Sequence, residues 1–161
     1  MNQLLTLCAL LATAIMSGLF FTWSNAIMPG LRRLPAFESL LALQSFNRVI
    51  LNPWFIIVFL APLLLLPLKV FFAYRQESQL KIYLLVFATL IYVLGVFIIT
   101  MSVNVPMNEG LNKLHLQQAN QQELMNQKEI FQTTWVRFNF VRAVSASLSF
   151  LLLSIACVDK E

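Results

Sequence analysis

The stretch PWFIIVFLAPLLLLPLKVFFAY, residues 53–74, carries one charge, Lys69, in an otherwise apolar and aromatic run. A helix rises about 1.5 Å per residue, so roughly 20 residues cross the ~30 Å hydrocarbon core of a bilayer. This stretch has that length. Lipid offers no partner to a bare peptide group, so a crossing segment satisfies its backbone as a helix or within a closed barrel. Similar runs occupy about residues 4–23, 82–103 and 138–158. Four segments cannot close a barrel, so the sequence reads as an all-α integral membrane protein: a four-transmembrane-helix bundle forming a single membrane domain over 1–161.

Composition agrees. Of 161 residues, 59% are hydrophobic and 11% are charged, against roughly 25% charged in a soluble domain. The net charge of +4 is spread along the chain. No basic patch is interleaved with aromatic residues, so no nucleic-acid partner is expected. Anionic headgroups and positive-inside bias account for the excess. Ala12–Ala14 mimics a signal-peptide cleavage site. No positive charge precedes the apolar run, however, and the run continues to Trp23, so it reads as a retained first span. Cys8 and Cys157 form no CxxC or metal spacing. They lie at similar depth and could be neighbours; two apolar-face thiols is the plainer reading.

The links are informative. Asn52 can cap the second span, with Pro53 in its first turn. Pro62 and Pro67 each remove a helical hydrogen bond, so a kink is expected, either tolerated by the membrane or widening a cavity. MPGLRRLP, residues 28–35, reads as a turn. AFESLLALQSFNRVI, residues 36–50, places Phe37, Leu40, Leu41, Phe46, Val49 and Ile50 at helical spacing, as an interfacial helix would. The short 75–81 link makes spans two and three antiparallel neighbours. The amide-rich LQQANQQELMNQKE reads as a solvated helix running into span four, or as a disordered loop.

Four spans put both termini and the 75–81 link on one side, with Arg75, Lys81 and Lys160. Arg32, Arg33, Arg48, Lys113, Lys128 and Arg137 lie opposite. The raw count favours cytoplasmic long links. The short link is denser in charge, Lys69 can snorkel toward it, and several opposite arginines read as site residues. The termini are therefore assigned to the cytoplasm, in a bacterial inner membrane.

Polar residues of every span converge on the side away from the termini. Span one ends there with Trp23, Ser24 and Asn25, followed by Pro29 and Gly30. The interfacial helix brings Gln44, Asn47 and Arg48, and span two starts at Asn52. Span three ends in Asn104, Pro106 and Asn108. Span four opens with Trp135, Arg137, Asn139 and Arg142. An arginine at membrane depth costs several kcal/mol unless hydrated, snorkelling or paired. Trp135, Asn139 and Arg142 share one helix face at i, i+4, i+7, whereas Arg137 points elsewhere and snorkels. Arg142 serves a pocket, or else it too snorkels or makes a structural link to helix-end carbonyls. Pro106 is expected to break the helix between Asn104 and Asn108 and free backbone groups there; a plain helix stop is the alternative. His115 is the only histidine and reads as a surface residue. With no ligand cluster, CxxCH, glycine-rich phosphate loop or GxSxG elbow, no metal or organic cofactor is expected.

The ordered set SGLFFTW, MPGL, LQSFNRVILNP, NVPMNEGLN and WVRFNFVRA, between about Gly18 and Arg142, resembles the anthrone oxygenase-like membrane family. Fungal members are implicated in oxidising polyketide anthrones to anthraquinones with molecular oxygen, without metal or flavin. Most bacterial members have no assigned reaction. The resemblance implies a site of Asn47, Asn104, Pro106, Asn108, Trp135, Asn139 and Arg142, with Pro29 and Gly30 shaping the first link. Under it, Arg142 would stabilise an oxyanion, Asn104, Asn108 and Asn139 would orient the substrate, and Trp135 would stack on a flat ring. Glu109 or His115 could act as base only if the link folds back. The partner would be a hydrophobic small molecule in the lipid bilayer, with a homo-oligomer possible. The competing readings are a non-enzymatic bundle binding a lipid or quinone-like ligand, a subunit of a larger complex, and a dimeric transporter.

Overall fold

The computed structural model describes residues 2–74 and 77–158. Arg75 and Lys160, two of the charges used for orientation, lie outside them. The described residues are helical, with short links. We label the helices α1 (Gln3–Arg32), α2 (Ala36–Ile50), α3 (Pro53–Ala73), α4 (Gln79–Lys113) and α5 (Gln121–Val158). All except α2 are long and apolar enough to cross a membrane.

Their starts are set by local chemistry. Asn52 Oδ1 accepts the Phe55 amide at 3.0 Å, which satisfies one of the donors a helix leaves unpaired at its start. Ser78 does the same for Lys81 at 3.4 Å. Asn120 and Glu123 form a reciprocal capping box, each side chain taking the other's amide at 3.0 Å. The box starts α5 in the amide-rich segment, which is therefore helix continuous with span four.

The spans pack as a ring in the order α1, α3, α4, α5 and back to α1. Inside it lies a core of Met16, Phe20, Phe59, Leu85, Tyr92 and Leu153. Small side chains set close approaches. Ser17 and Ser147 hydroxyls meet at 2.7 Å between α1 and α5. Ser149 Oγ donates to Ala88 O at 2.8 Å, and Tyr92 OH to Phe59 O at 3.0 Å. Between apolar helices in lipid, such packing and hydrogen bonding replace the hydrophobic drive.

At 35 and 38 residues, α4 and α5 are about 50–57 Å long, well beyond the ~30 Å core. Their overhang builds a second storey. There α2 turns Leu40, Leu43, Gln44 and Asn47 inward, against Leu111, Leu124 and Phe131. Leu41, Phe46 and Val49 face outward, as suits a helix at the interface. Gln44 Nε2 donates to Leu111 O at 2.8 Å and Leu114 O at 2.9 Å, binding α2 to the end of α4.

Two expectations about prolines are corrected. Pro106 does not break its helix, and MPGLRRLP is not a turn until Arg33; α4 and α1 run through Pro106, Pro29 and Gly30. Each proline follows a wide π-helical turn, Thr100–Asn104 or Trp23–Ile27. The Val105 amide reaches back to Thr100 O, and the Met28 amide to Trp23 O. A proline ring ordinarily clashes with the carbonyl four residues back. The wide turn relieves this for Ser102 and Asn25, and the proline then opens the next α-helical segment, where it needs no donor. Helix α3 is likewise continuous through Pro62 and Pro67. Lys69 Nζ donates to Thr6 Oγ1 of α1 at 2.7 Å. Cys8 and Cys157 are free and exposed.

The tightest contact generates a test. A Cβ on Gly95 would collide with the Ser145 side chain across α4 and α5. Overpacking of this kind costs roughly 1–3 kcal/mol. Gly95→Ala is expected to lower the melting temperature in detergent, and Ser145→Gly in the same chain to restore most of the loss. An unchanged melt for Gly95→Ala would show that these helices are not held at that separation.

Candidate functional site

Arg142 points into the bundle from α5 and is only 6% exposed. Its Nη2 donates to Asn139 Oδ1 at 2.7 Å and its Nη1 to Thr100 Oγ1 at 3.2 Å. Cζ sits 4.5 Å from the centre of the Phe20 ring and 5.4 Å from a Trp135 ring. Among the described residues, no carboxylate forms an ion pair with it. The cation is held instead by neutral acceptors and by the negative faces of two aromatic rings, each face worth about 0.5–2 kcal/mol.

The acceptors are themselves fixed. Thr100 Oγ donates to Val96 O at 2.7 Å, which leaves its lone pairs to the guanidinium. Asn139 Nδ2 donates to Phe20 O at 2.9 Å and Ser24 Oγ at 2.7 Å. These bonds decide which end of the amide faces Arg142, and they tie α5 to α1. Trp135 Nε1 donates to Asn108 Oδ1 at 2.9 Å. The Trp135 ring also contacts Trp23 and Phe131, with centroids 5.5 and 6.4 Å away.

Asn104 stands one turn beyond Thr100 and is buried, with neither Nδ2 nor Oδ1 in a hydrogen bond. Arg142 Nε, Asn47 Nδ2 and Gln132 Nε2 are also buried without partners. An unmatched buried polar group costs about 1–3 kcal/mol, and five such atoms concentrate in this half of the molecule. Four are donors and one is an acceptor, so the surplus suits a ligand rich in acceptor oxygens. Asn104 and Gln132 sit on the wide turns Thr100–Asn104 and Phe131–Trp135, and Ser24 sits on a third, Trp23–Ile27. A wide turn adds about one residue, near 100° of rotation, and so re-aims everything beyond it.

Of the residues singled out from sequence, the structure brings Arg142, Asn139 and Trp135 into one contact group, and Asn108 joins through Trp135. Asn104 lies on the Thr100 face. Asn47 is buried on α2. Pro106 is exposed and touches the cluster only by shaping α4. Glu109 and His115 are exposed; the link does not fold back to offer either as a base. Arg137 is exposed, as a snorkelling side chain would be. Ser24 belongs to the polar residues that converge here in the sequence, whereas Thr100, Phe20 and Gln132 were not anticipated. The i, i+4 spacing of Thr100 and Asn104 was the one available signal. Among the described residues, no three His, Cys, Asp or Glu side chains are grouped to hold a metal ion.

No curated protein and no solved structure matches the chain. A family model described as anthrone oxygenase matches residues 53–152. That range spans α3, α4 and most of α5, and carries Thr100, Asn104, Asn108, Trp135, Asn139 and Arg142. With well over half its length matched, the chain belongs to the anthrone oxygenase family.

Proposed function

We propose that the protein oxidises a hydrophobic, anthrone-like aromatic with molecular oxygen, bound beside Arg142 at one face of the membrane. The observation that carries this reading is a buried guanidinium between aromatic faces with an unpartnered Nε, and an unpartnered Asn104 amide one turn along α4 from its partner Thr100. In such a reaction the substrate's methylene carbon loses a proton to water, and the negative charge moves to the ring carbonyl oxygen. Arg142 stabilises that oxyanion in a poorly hydrated site, where a fixed charge acts strongly. The carbanion then gives an electron to oxygen, and the radical and superoxide join in a new C–O bond. Protonation yields a hydroperoxide. Loss of water breaks its O–O bond and the remaining C–H bond, leaving a second ring carbonyl. Methylene and dioxygen become carbonyl and water, with four electrons passed to oxygen and no cofactor consumed.

Asn104, Asn108 and Asn139 orient the substrate or its holders, Trp135 stacks on its ring, and Asn47 and Pro106 complete the wall and its helix. The same reading sets both termini on the cytoplasmic side of a bacterial inner membrane.

Two experiments bear on this. Oxygen uptake with anthrone by purified protein should fall 10²–10³-fold in Arg142→Ala, the scale for removal of an oxyanion-stabilising donor. Equal rates in folded wild type and variant would sink the assignment. Thr100→Asp sets a carboxylate against the guanidinium. It should raise the melting temperature by pairing the buried charge, yet abolish uptake because the anionic substrate is displaced. Thr100→Ser should keep most activity. An active Thr100→Asp protein would show that the guanidinium does not meet a developing anion.

A further inference from the structure

The second storey carries a cavity of about 560 Å³ between α2 and the link that joins α4 to α5. Its polar border comes from Gln44 and Arg48 of α2, Asn112 near the end of α4, and His115, Gln117 and Gln118 of the link. A smaller hollow of about 360 Å³ adjoins it, sharing Arg48 and Leu41 and adding Ser45 and Val49. No carboxylate borders either. Arg48 is the informative group. Its Nη2 meets Gln44 Oε1 at 3.4 Å, long for an N–H···O bond. Gln44 Nε2 is committed to Leu111 O and Leu114 O. Among the described residues, no carboxylate forms an ion pair with Arg48. A guanidinium carries five donors in a fork that matches two phosphate oxygens, so most of this one is open to a ligand.

Depth names the source of that ligand. Arg48 lies in the last turn of α2, five residues before Pro53, where α3 begins its crossing. The headgroup layer is roughly 5–7 Å deep on each side of a bilayer, about the helical rise of five residues. Trp54 is 80% exposed at the start of α3 and marks the same level, since tryptophan rings collect at the membrane–water interface. Val49 and Leu51 follow Arg48 toward α3, and both are exposed.

From this arrangement we infer a binding site for an anionic phospholipid with a hydroxylated head, drawn from the surrounding leaflet. Arg48 takes the phosphate. Asn112, Gln117 and Gln118 take the head hydroxyls, because a side-chain amide both donates and accepts, and His115 adds a ring N–H. The acyl chains start along Val49 and Leu51. A choline head offers these amides no hydroxyl and brings a cation toward Arg48, so the lining selects against it. None of these residues is a partner of Arg142, and the site stands apart from the chemistry there.

Native mass spectrometry tests it on full-length protein from nanodiscs of phosphatidylcholine doped with phosphatidylglycerol or with phosphatidylethanol, which has the same charge and no head hydroxyl. Retention should fall in the order phosphatidylglycerol, phosphatidylethanol, phosphatidylcholine. Arg48→Gln should cut retention of both anionic lipids about fivefold, the scale of one basic side chain at an anionic surface. Asn112→Leu should remove most of the preference for phosphatidylglycerol over phosphatidylethanol. Melting curves in pure phosphatidylcholine establish that the variants fold. Equal retention of the three lipids, or retention that folded Arg48→Gln leaves unaltered, would overturn the inference. So would displacement of the lipid by free glycerol 1-phosphate, which would make a soluble phosphate ester the occupant.

Discussion

A guanidinium at membrane depth has to be held by protein, because hydrocarbon supplies neither counter-charge nor acceptor. Arg142 sets that demand, and the polar half of the bundle is arranged around it. Asn139 takes one arm of the fork and is itself clamped to α1 through Phe20 O and Ser24. Thr100 takes another from α4. Phe20 and Trp135 supply the aromatic faces. One cation thus links three of the four spans. Neutral partners also leave its charge unquenched, which is the condition for attracting an anion.

The wide helical turns are the means by which these groups meet. An unbroken α-helix keeps Thr100, Asn104 and Asn108 on one stripe, and the turn at Thr100–Asn104 rotates Asn108 relative to the first two. Asn108 is then free to take the Trp135 indole, while Thr100 takes the arginine. The same turns absorb Pro29 and Pro106 without breaking α1 or α4. Proline, wide turn and polar cluster are one device, repeated on two helices.

The two ends of the ring differ in how charge is managed. At the Arg142 end the cation is buried among rings and amides. At the other end Lys69 and Lys81 line an open cavity with Glu77 and Thr6. The overhang of α4 and α5, covered by α2, closes the Arg142 end with a second apolar core.

Span count, membrane class and the convergence of polar groups at one end followed from the sequence, because apolar run length and the cost of buried charge depend on residue identity alone. The interfacial helix and the helical run into span four were legible for the same reason, through periodicity and helix formers. The i, i+4, i+7 spacing of Trp135, Asn139 and Arg142 placed them on one face before any neighbour was known. Only the tertiary structure decided who completes that face. Thr100, Phe20 and Ser24 lie on other spans, and their approach depends on the packing of α1 and α4 against α5. The fate of Pro106 was undecidable locally, because a proline breaks an ordinary helix but not one widened ahead of it.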